Sequence, residues 1–211
     1  MIKHVVFDFD GTIADSLGLA FEIYNEYSQK YHYRQVTMEE LKGLMNLPIK
    51  QRLKKVGIPF YKVPKILLEC TVKYRQLIGN IKVFDHILEL VANLKKDGLS
   101  TSIISSNSVE NIEVFLRNNE IDVFDRIISS NNLFGKDKTI KKYLKQTNLK
   151  ADEIVYVGDE LRDVEACKRV SVKMIAVTWG YDLSELLKSG GPDYVVEKPQ
   201  EIFDIVKTLN V

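Results

Sequence analysis

Short apolar or β-branched runs, most followed by a helix-length amphipathic segment, recur along this chain and limit how it can fold more than any single residue does. The runs are Ile2 to Phe9, Thr101 to Ser105, Arg126 to Ser130, Ile154 to Val157 and Lys173 to Thr178, with Tyr194 to Val196 as a candidate edge strand. Among the intervening segments, Phe84 to Lys96 places Ile87, Leu88, Val91, Ala92 and Leu94 at helical spacing, and Val109 to Asn118, Lys138 to Gln146 and Val164 to Val170 behave similarly. Strands alternating with helices predict an α/β protein with a doubly wound parallel sheet.

One interval breaks the rhythm. Residues 16–80 carry helical patterning without a convincing strand, which is too long for a crossover, and Leu17 to Tyr31, Met38 to Met45, Ile49 to Val56 and Val63 to Leu77 read as four helices. The economical organisation is a core of residues 1–15 and 81–211 with a small all-helical domain inserted at 16–80. Charge divides along the same line: the insert holds 11 Lys and Arg against 5 Asp and Glu, so a total of +1 conceals a basic insert on an acidic core. Such a pair suits a small anionic substrate held between them, with a divalent cation on the core side, although the same lysines also suit a solvated helical surface.

The balanced total argues against binding nucleic acid. No stretch approaches the roughly 18 to 20 apolar residues of a membrane helix, and the first residues lead into acids instead of a signal sequence, so a cytoplasmic protein with no membrane partner is expected. Cys70 and Cys167 have no metal-type spacing and are expected to be buried small hydrophobes.

Two acidic clusters stand at the ends of apolar runs. Asp8-Phe9-Asp10-Gly11-Thr12 follows Val5-Val6-Phe7, and on a continued strand Asp8 and Asp10 would share a face at the end of the sheet where open α/β folds bind ligands. Adjacent carboxylates need a shared proton or a cation, and Mg²⁺ suits a carboxylate pair facing phosphate. Gly11 would turn the chain tightly and bring backbone donors, its own and that of Thr12, towards an anion. As a bare pattern the segment also reads as a surface turn; a calcium loop would need further oxygen ligands downstream, which Thr12-Ile13-Ala14 does not supply. The second cluster, Gly158-Asp159-Glu160-Leu161-Arg162-Asp163, follows Ile154 to Val157 and reads either as a metal ligand with a supporting carboxylate or as an N-cap with first-turn acids.

Taken in order, these motifs resemble the haloacid dehalogenase superfamily, in the phosphoglycolate-phosphatase-like branch that carries a helical cap after the first strand. The resemblance implies that Asp8 is a nucleophile forming an aspartyl-phosphate and Asp10 a general acid and base. It implies that Asp8, the backbone oxygen of Asp10 and Asp159 hold Mg²⁺. Ser105 stands where the family has a Ser or Thr, with Ser106 supplying the next backbone amide to the phosphoryl group, while Asn107-Ser108-Val109-Glu110 also reads as a capping box. The family's lysine motif departs from its common form, since this chain has Phe134-Gly135-Lys136-Asp137-Lys138-Thr139; position favours Lys136, with Lys138 as the alternative, and Asp163 would pair with it. Residues 13–16 and 79–83 would be the hinges of the cap, and Asn46 and Lys50 its substrate contacts. Asp15 and Ser16 are expected to cap the first cap helix, and Trp179-Gly180-Tyr181 to be a packed loop. His4, His32 and His86 lack ligand spacing and receive no role.

The function implied is a Mg²⁺-dependent phosphatase acting on a small phosphorylated metabolite, such as phosphoglycolate or a sugar phosphate. A phosphomutase is the nearest enzymatic rival, and a non-catalytic regulator on the same fold is the rival from another class. A dehalogenase is disfavoured, because the family's dehalogenases lack a second aspartate at the Asp10 position.

Overall fold

The computed structural model describes residues 1–130 and 134–211. In chain order its elements are β1 (His4–Phe7), β2 (Ala14–Asp15), α1 (Leu17–Tyr31), α2 (Met38–Leu44), α3 (Ile49–Lys55), α4 (Val63–Leu77), β3 (Lys82–Val83), α5 (Ile87–Lys96) and β4 (Ser100–Ser105). There follow α6 (Val109–Asn118), β5 (Arg126–Ser129), α7 (Lys136–Thr147), β6 (Ile154–Gly158), α8 (Leu161–Arg169), β7 (Lys173–Val177), α9 (Ser184–Ser189), β8 (Tyr194–Val196) and α10 (Pro199–Thr208).

Six strands form one parallel sheet in the order β5-β4-β1-β6-β7-β8, with Phe7 aligned to Ile103 on one side and Val157 on the other. Strand β1 is buried on both faces, which is why it is almost continuously apolar. Val5 and Phe7 pack into the cluster that includes Ile87 and Leu90 of α5, Phe115 of α6 and Ile202 of α10. Val6 points the opposite way, into Ile140 and Tyr143 of α7 and Val164 and Cys167 of α8. The chain runs outward from β1 through β4 and β5, then crosses to β6, so strand order reverses at β1. That reversal opens a crevice at the carboxyl ends of β1, β4 and β6.

Residues 17–77 contain helices only, with a cluster of their own built on Tyr33, Val36, Leu44, Val56, Ile58, Val63 and Ile66. The two chain segments joining this unit to the sheet pair with each other, as β2 and β3 form a two-stranded antiparallel ladder. Among the described residues no helix is long and apolar enough to cross a membrane.

Several expectations are corrected. Strand β1 ends at Phe7, so Asp8 and Asp10 lie on the following turn, and the turn rather than a strand pleat brings them near each other. Helix α5 begins only at Ile87, after His86 in the left-handed region (φ 63°), and α7 begins two residues early, at Lys136. Helices α9 and α10 have no counterpart among the elements expected from the sequence, although Pro199 in the first turn marks the latter. Ser16 makes no capping hydrogen bond from its side chain, and Asp15 is an exposed residue of β2. The cap of α6 is Ser108, whose hydroxyl accepts from the Asn111 N–H (3.2 Å) while its own N–H donates to Asn107 Oδ1 (2.8 Å), so a single-sided cap one residue later replaces the box expected from Asn107 to Glu110. Cys167 is buried, but Cys70 is only half-buried.

Candidate active site

The ladder between β1 and β6 continues one residue past the strand, because the Asp8 N–H donates to the Val157 carbonyl (2.8 Å). This sets the Asp8 side chain at the carboxyl edge of the sheet, where it is buried. One oxygen accepts from the Phe9 N–H (2.7 Å) and the other receives the Lys136 ammonium, which also donates to Asp163 Oδ1 (2.5 Å). Lys136 occupies the first position of α7 with only 3% exposure. Burial by itself would depress its pKa, but the carboxylates of Asp163 and Asp8 outweigh that and hold it above the ordinary value. Lys138, two residues on, is exposed and outside this cluster.

Asp159 is fully buried at the end of β6, accepting from the Thr12 hydroxyl (2.7 Å) and from the Tyr181 N–H (2.7 Å). Two glycines make room for it. A Cβ at Gly11 would stand 2.1 Å from Asp159 Oδ2 and one at Gly180 2.3 Å from it, and Gly11 also has φ 77°. Burial, reinforced by the charges of Glu160, Asp8 and Asp163, pushes the Asp159 carboxyl well above the usual range. Burial likewise raises Asp163, and the Lys136 ammonium pulls it back.

Asp10 has a different setting. Its partners are neutral: the Tyr74 phenol of α4 donates to one oxygen (2.6 Å) and the Asn107 amide to the other (2.9 Å). Burial raises its pKa, opposed by the hydrogen bonds from Tyr74, Ser16 and Asn107. At the end of β4, the buried Ser105 hydroxyl accepts from the Asn107 N–H (3.2 Å). The next hydroxyl, Ser106, accepts from Arg162 (3.2 Å), which also pairs with Glu160.

The sequence-derived residues Asp8, Asp10, Ser105, Ser106, Lys136, Asp159 and Asp163 therefore converge on one crevice. Gly11 and Thr12 lie in it but are occupied otherwise. Their N–H groups donate to the Ala14 and Phe9 carbonyls within the turn, so they hold the turn and seat Asp159 instead of facing an anion. The loop at Trp179 is more than packing, since it supplies the Tyr181 amide to Asp159, the Tyr181 phenol to Ser16 (2.9 Å) and the indole N–H to the Thr12 carbonyl (3.2 Å). Sequence reasoning misses Asn107, although it lies two residues past Ser105, and treats Glu160 and Arg162 as spacers within the second cluster. Tyr74 and the ion pair that joins Arg52 of α3 to Asp182 carry no local signal at all.

The residues suit a divalent cation. Among the described residues, four buried carboxylates, Asp8, Asp159, Glu160 and Asp163, gather around the buried Lys136 and the largely enclosed Arg162, and one oxygen of Asp163 is buried without a partner. Oxygens of Asp8, Glu160 and Asp163 lie within 4.8 Å of one another, a group able to hold a metal ion. All are hard oxygen donors of the kind Mg²⁺ prefers. Above Asp10, between the sheet and helices α1, α3 and α4, lies a cavity of about 320 Å³. Asn46 and Lys50 do not line it and both are exposed, but Lys50 lines a neighbouring cavity of about 370 Å³ together with Lys136 and Arg162, with its ammonium over the Phe134 ring (5.6 Å).

Comparison with known proteins agrees with this geometry. A family model described as haloacid dehalogenase-like hydrolase matches residues 5–177. The chain is 27% identical over 209 residues to a phosphoglycolate phosphatase of Synechococcus elongatus, covering 99% of both chains. It is 22% identical over 218 residues to the pyrophosphatase PpaX of Bacillus mycoides, again covering 99% of both. In three dimensions it is similar to a predicted phosphatase from Clostridium acetobutylicum, with a TM-score of 0.85 at 21% identity over 99% of each chain.

Proposed function

Because the chain belongs to the haloacid dehalogenase-like hydrolase family, we propose that it is a phosphatase cleaving a small phosphate monoester, of the size of phosphoglycolate or a sugar phosphate, through an aspartyl-phosphate. In this reading residues 16–80 are a cap over a core of residues 1–15 and 81–211. The observation that carries the proposal is the contrast between Asp8, held by the Lys136 ammonium, and Asp10, held only by neutral donors in an enclosed setting that raises its pKa. Two close carboxyl groups in unlike surroundings divide naturally into nucleophile and acid.

The Asp8 carboxylate attacks phosphorus, the bond to the ester oxygen breaks, and that oxygen takes a proton from Asp10. Water then attacks the acyl phosphate while Asp10 accepts its proton, which frees inorganic phosphate and restores Asp8. Lys136 offsets the negative charge shared by Asp8 and the phosphoryl oxygens, and the Ser105 hydroxyl and Ser106 amide orient those oxygens. Asp163 positions Lys136. Asp8, the backbone oxygen of Asp10 and Asp159 would hold Mg²⁺, with Glu160 and Asp163 beside them; when bound, the ion offsets repulsion between carboxylate and phosphate.

The test is phosphate release from p-nitrophenyl phosphate and a panel of phosphoglycolate, sugar phosphates and pyrophosphate, with Mg²⁺ and with EDTA. Release that requires the metal and falls at least about 10⁴-fold in Asp8→Asn is expected. Undiminished turnover in the folded variant removes Asp8 from its role.

A further inference from the structure

The cavity over Asp10 has an uneven chemistry. Its cap side is lined by Ile23, Ile49, Leu53, Ile66, Leu67 and Cys70. The polar side chains on that side are already spent. Tyr33 donates to the Tyr24 carbonyl (2.7 Å), Tyr24 to the Arg34 carbonyl (2.5 Å) and Thr71 to the Leu67 carbonyl (2.8 Å), leaving two aromatic rings and a methyl towards the space. Burial pushes the Cys70 thiol up to about 11, so at neutral pH it too is an uncharged surface. The lining arginines are also engaged. Arg52 donates to the Leu47 carbonyl (2.6 Å) and pairs with Asp182, and Arg162 pairs with Glu160. The carboxyl groups on the lining are those of Asp10 and Glu160.

A leaving group with a second acidic function would meet two carboxyl groups and arginines already paired. A polyol would have to give up water on the cap side for hydroxyls already committed to backbone carbonyls, at the cost of unmade hydrogen bonds. An apolar body meets neither penalty and gains by leaving water. We infer that the substrate is the phosphate monoester of an apolar alcohol, alkyl or aryl, whose hydrocarbon part enters the cap side of the cavity. This rests on the phosphatase reading and narrows it: water and the monoester give inorganic phosphate and the apolar alcohol, which leaves with its oxygen and one proton.

The experiment measures kcat/KM, with Mg²⁺, for ethyl, butyl and hexyl phosphate beside phosphoglycolate, glycerol phosphate and pyrophosphate, with Asp8→Asn as the background. The expected result is a rise of about fourfold per added methylene until the cavity fills, so that hexyl phosphate exceeds ethyl phosphate on the order of a hundredfold and exceeds all three polar substrates. Leu67 is partly exposed at the margin of the cavity. Leu67→Arg should therefore lower the ratio of hexyl phosphate to phosphoglycolate at least tenfold. A flat alkyl series, or a polar substrate ahead of hexyl phosphate, overturns the inference and leaves the phosphatase reading standing. Absence of release from every compound overturns both.

Discussion

The core and cap walls of one cavity hold their shape by different forces. On the core wall, buried charge is held by opposite charge, Arg162 against Glu160, and in the adjoining acidic cluster Lys136 lies between Asp8 and Asp163. On the cap wall, packing holds the structure, around Tyr33, Val56, Val63 and Ile66, while Arg52 is paired with Asp182 and Lys50 lines a neighbouring cavity beside Lys136 and Arg162. Each wall is accordingly fragile in its own way. A core residue removed leaves a buried charge without its partner, whereas the cap wall tolerates changes of size better than the arrival of a charge.

The largest effect that would break this contrast is expected at Asp10, the group that touches both walls through Asn107 and Tyr74. Asp10→Asn should slow turnover about 10²- to 10⁴-fold, with the greater loss for alkyl esters whose leaving oxygen most needs a proton. Equal losses for alkyl and p-nitrophenyl phosphate would remove the acid role. Next comes Lys136→Ala, expected to cost about 3–5 kcal/mol in urea unfolding because Asp8 and Asp163 stay buried together, while Lys138→Ala stays within about 0.5 kcal/mol. Similar midpoints for the two variants would contradict the core side of the comparison.

Arg52→Ala removes the enclosed ion pair that ties cap to core; a loss of about 1–3 kcal/mol is expected, with Asp182 left buried beside the Leu161 N–H (2.7 Å). An unchanged midpoint would mean that the pair adds nothing to the packing between the two units. The smallest effect belongs to the far end of β1, where the core keeps a titratable group neutral. Burial holds His4 below its ordinary 6.5, opposed by nearby Asp125 and Glu153, and its Nδ1 meets the Tyr143 hydroxyl (2.6 Å). Just under pH 6.5 the unfolded chain therefore carries a proton that the folded chain refuses, so this contribution is complete above that pH and is lost as pH falls towards the folded pKa. His4→Gln should flatten the corresponding slope in a pH series of unfolding midpoints, and an unaltered slope would exclude His4 as its source.

The alternation of runs makes the parallel sheet readable, because a strand buried on both faces must be apolar throughout and the helices covering it must be amphipathic. The insert is readable for the complementary reason, a long interval with one period and no strands. Strand ends are less so: an apolar residue recurs at Phe9, two past Phe7 and buried in the core from the turn, so the alternation reads as a continued strand although β1 ends at Phe7. Lys136 is favoured over Lys138 from position alone, but its burial between two carboxylates depends on where α7 starts, and the sequence pattern places that start two residues late.

The acids Asp8, Asp10, Asp159 and Asp163, their order, and the placing of each cluster after an apolar run are local properties of the chain, and for that reason the sequence alone displays them. Which groups surround them is a matter of the folded chain. Tyr74 reaches Asp10 across 64 residues, the Tyr181 amide reaches Asp159 across 22, and Arg52 reaches Asp182 across 130. Contacts over such separations have no period or spacing to betray them, because they arise from how the insert folds back over the sheet, for Tyr74 and Arg52, and from how the loop after β7 returns to the end of β6, for Tyr181. Packing within the insert sets the character of the cavity: the hydroxyls of Tyr24, Tyr33 and Thr71 are turned onto backbone carbonyls of the same unit, and residues that look polar in the sequence present an apolar wall.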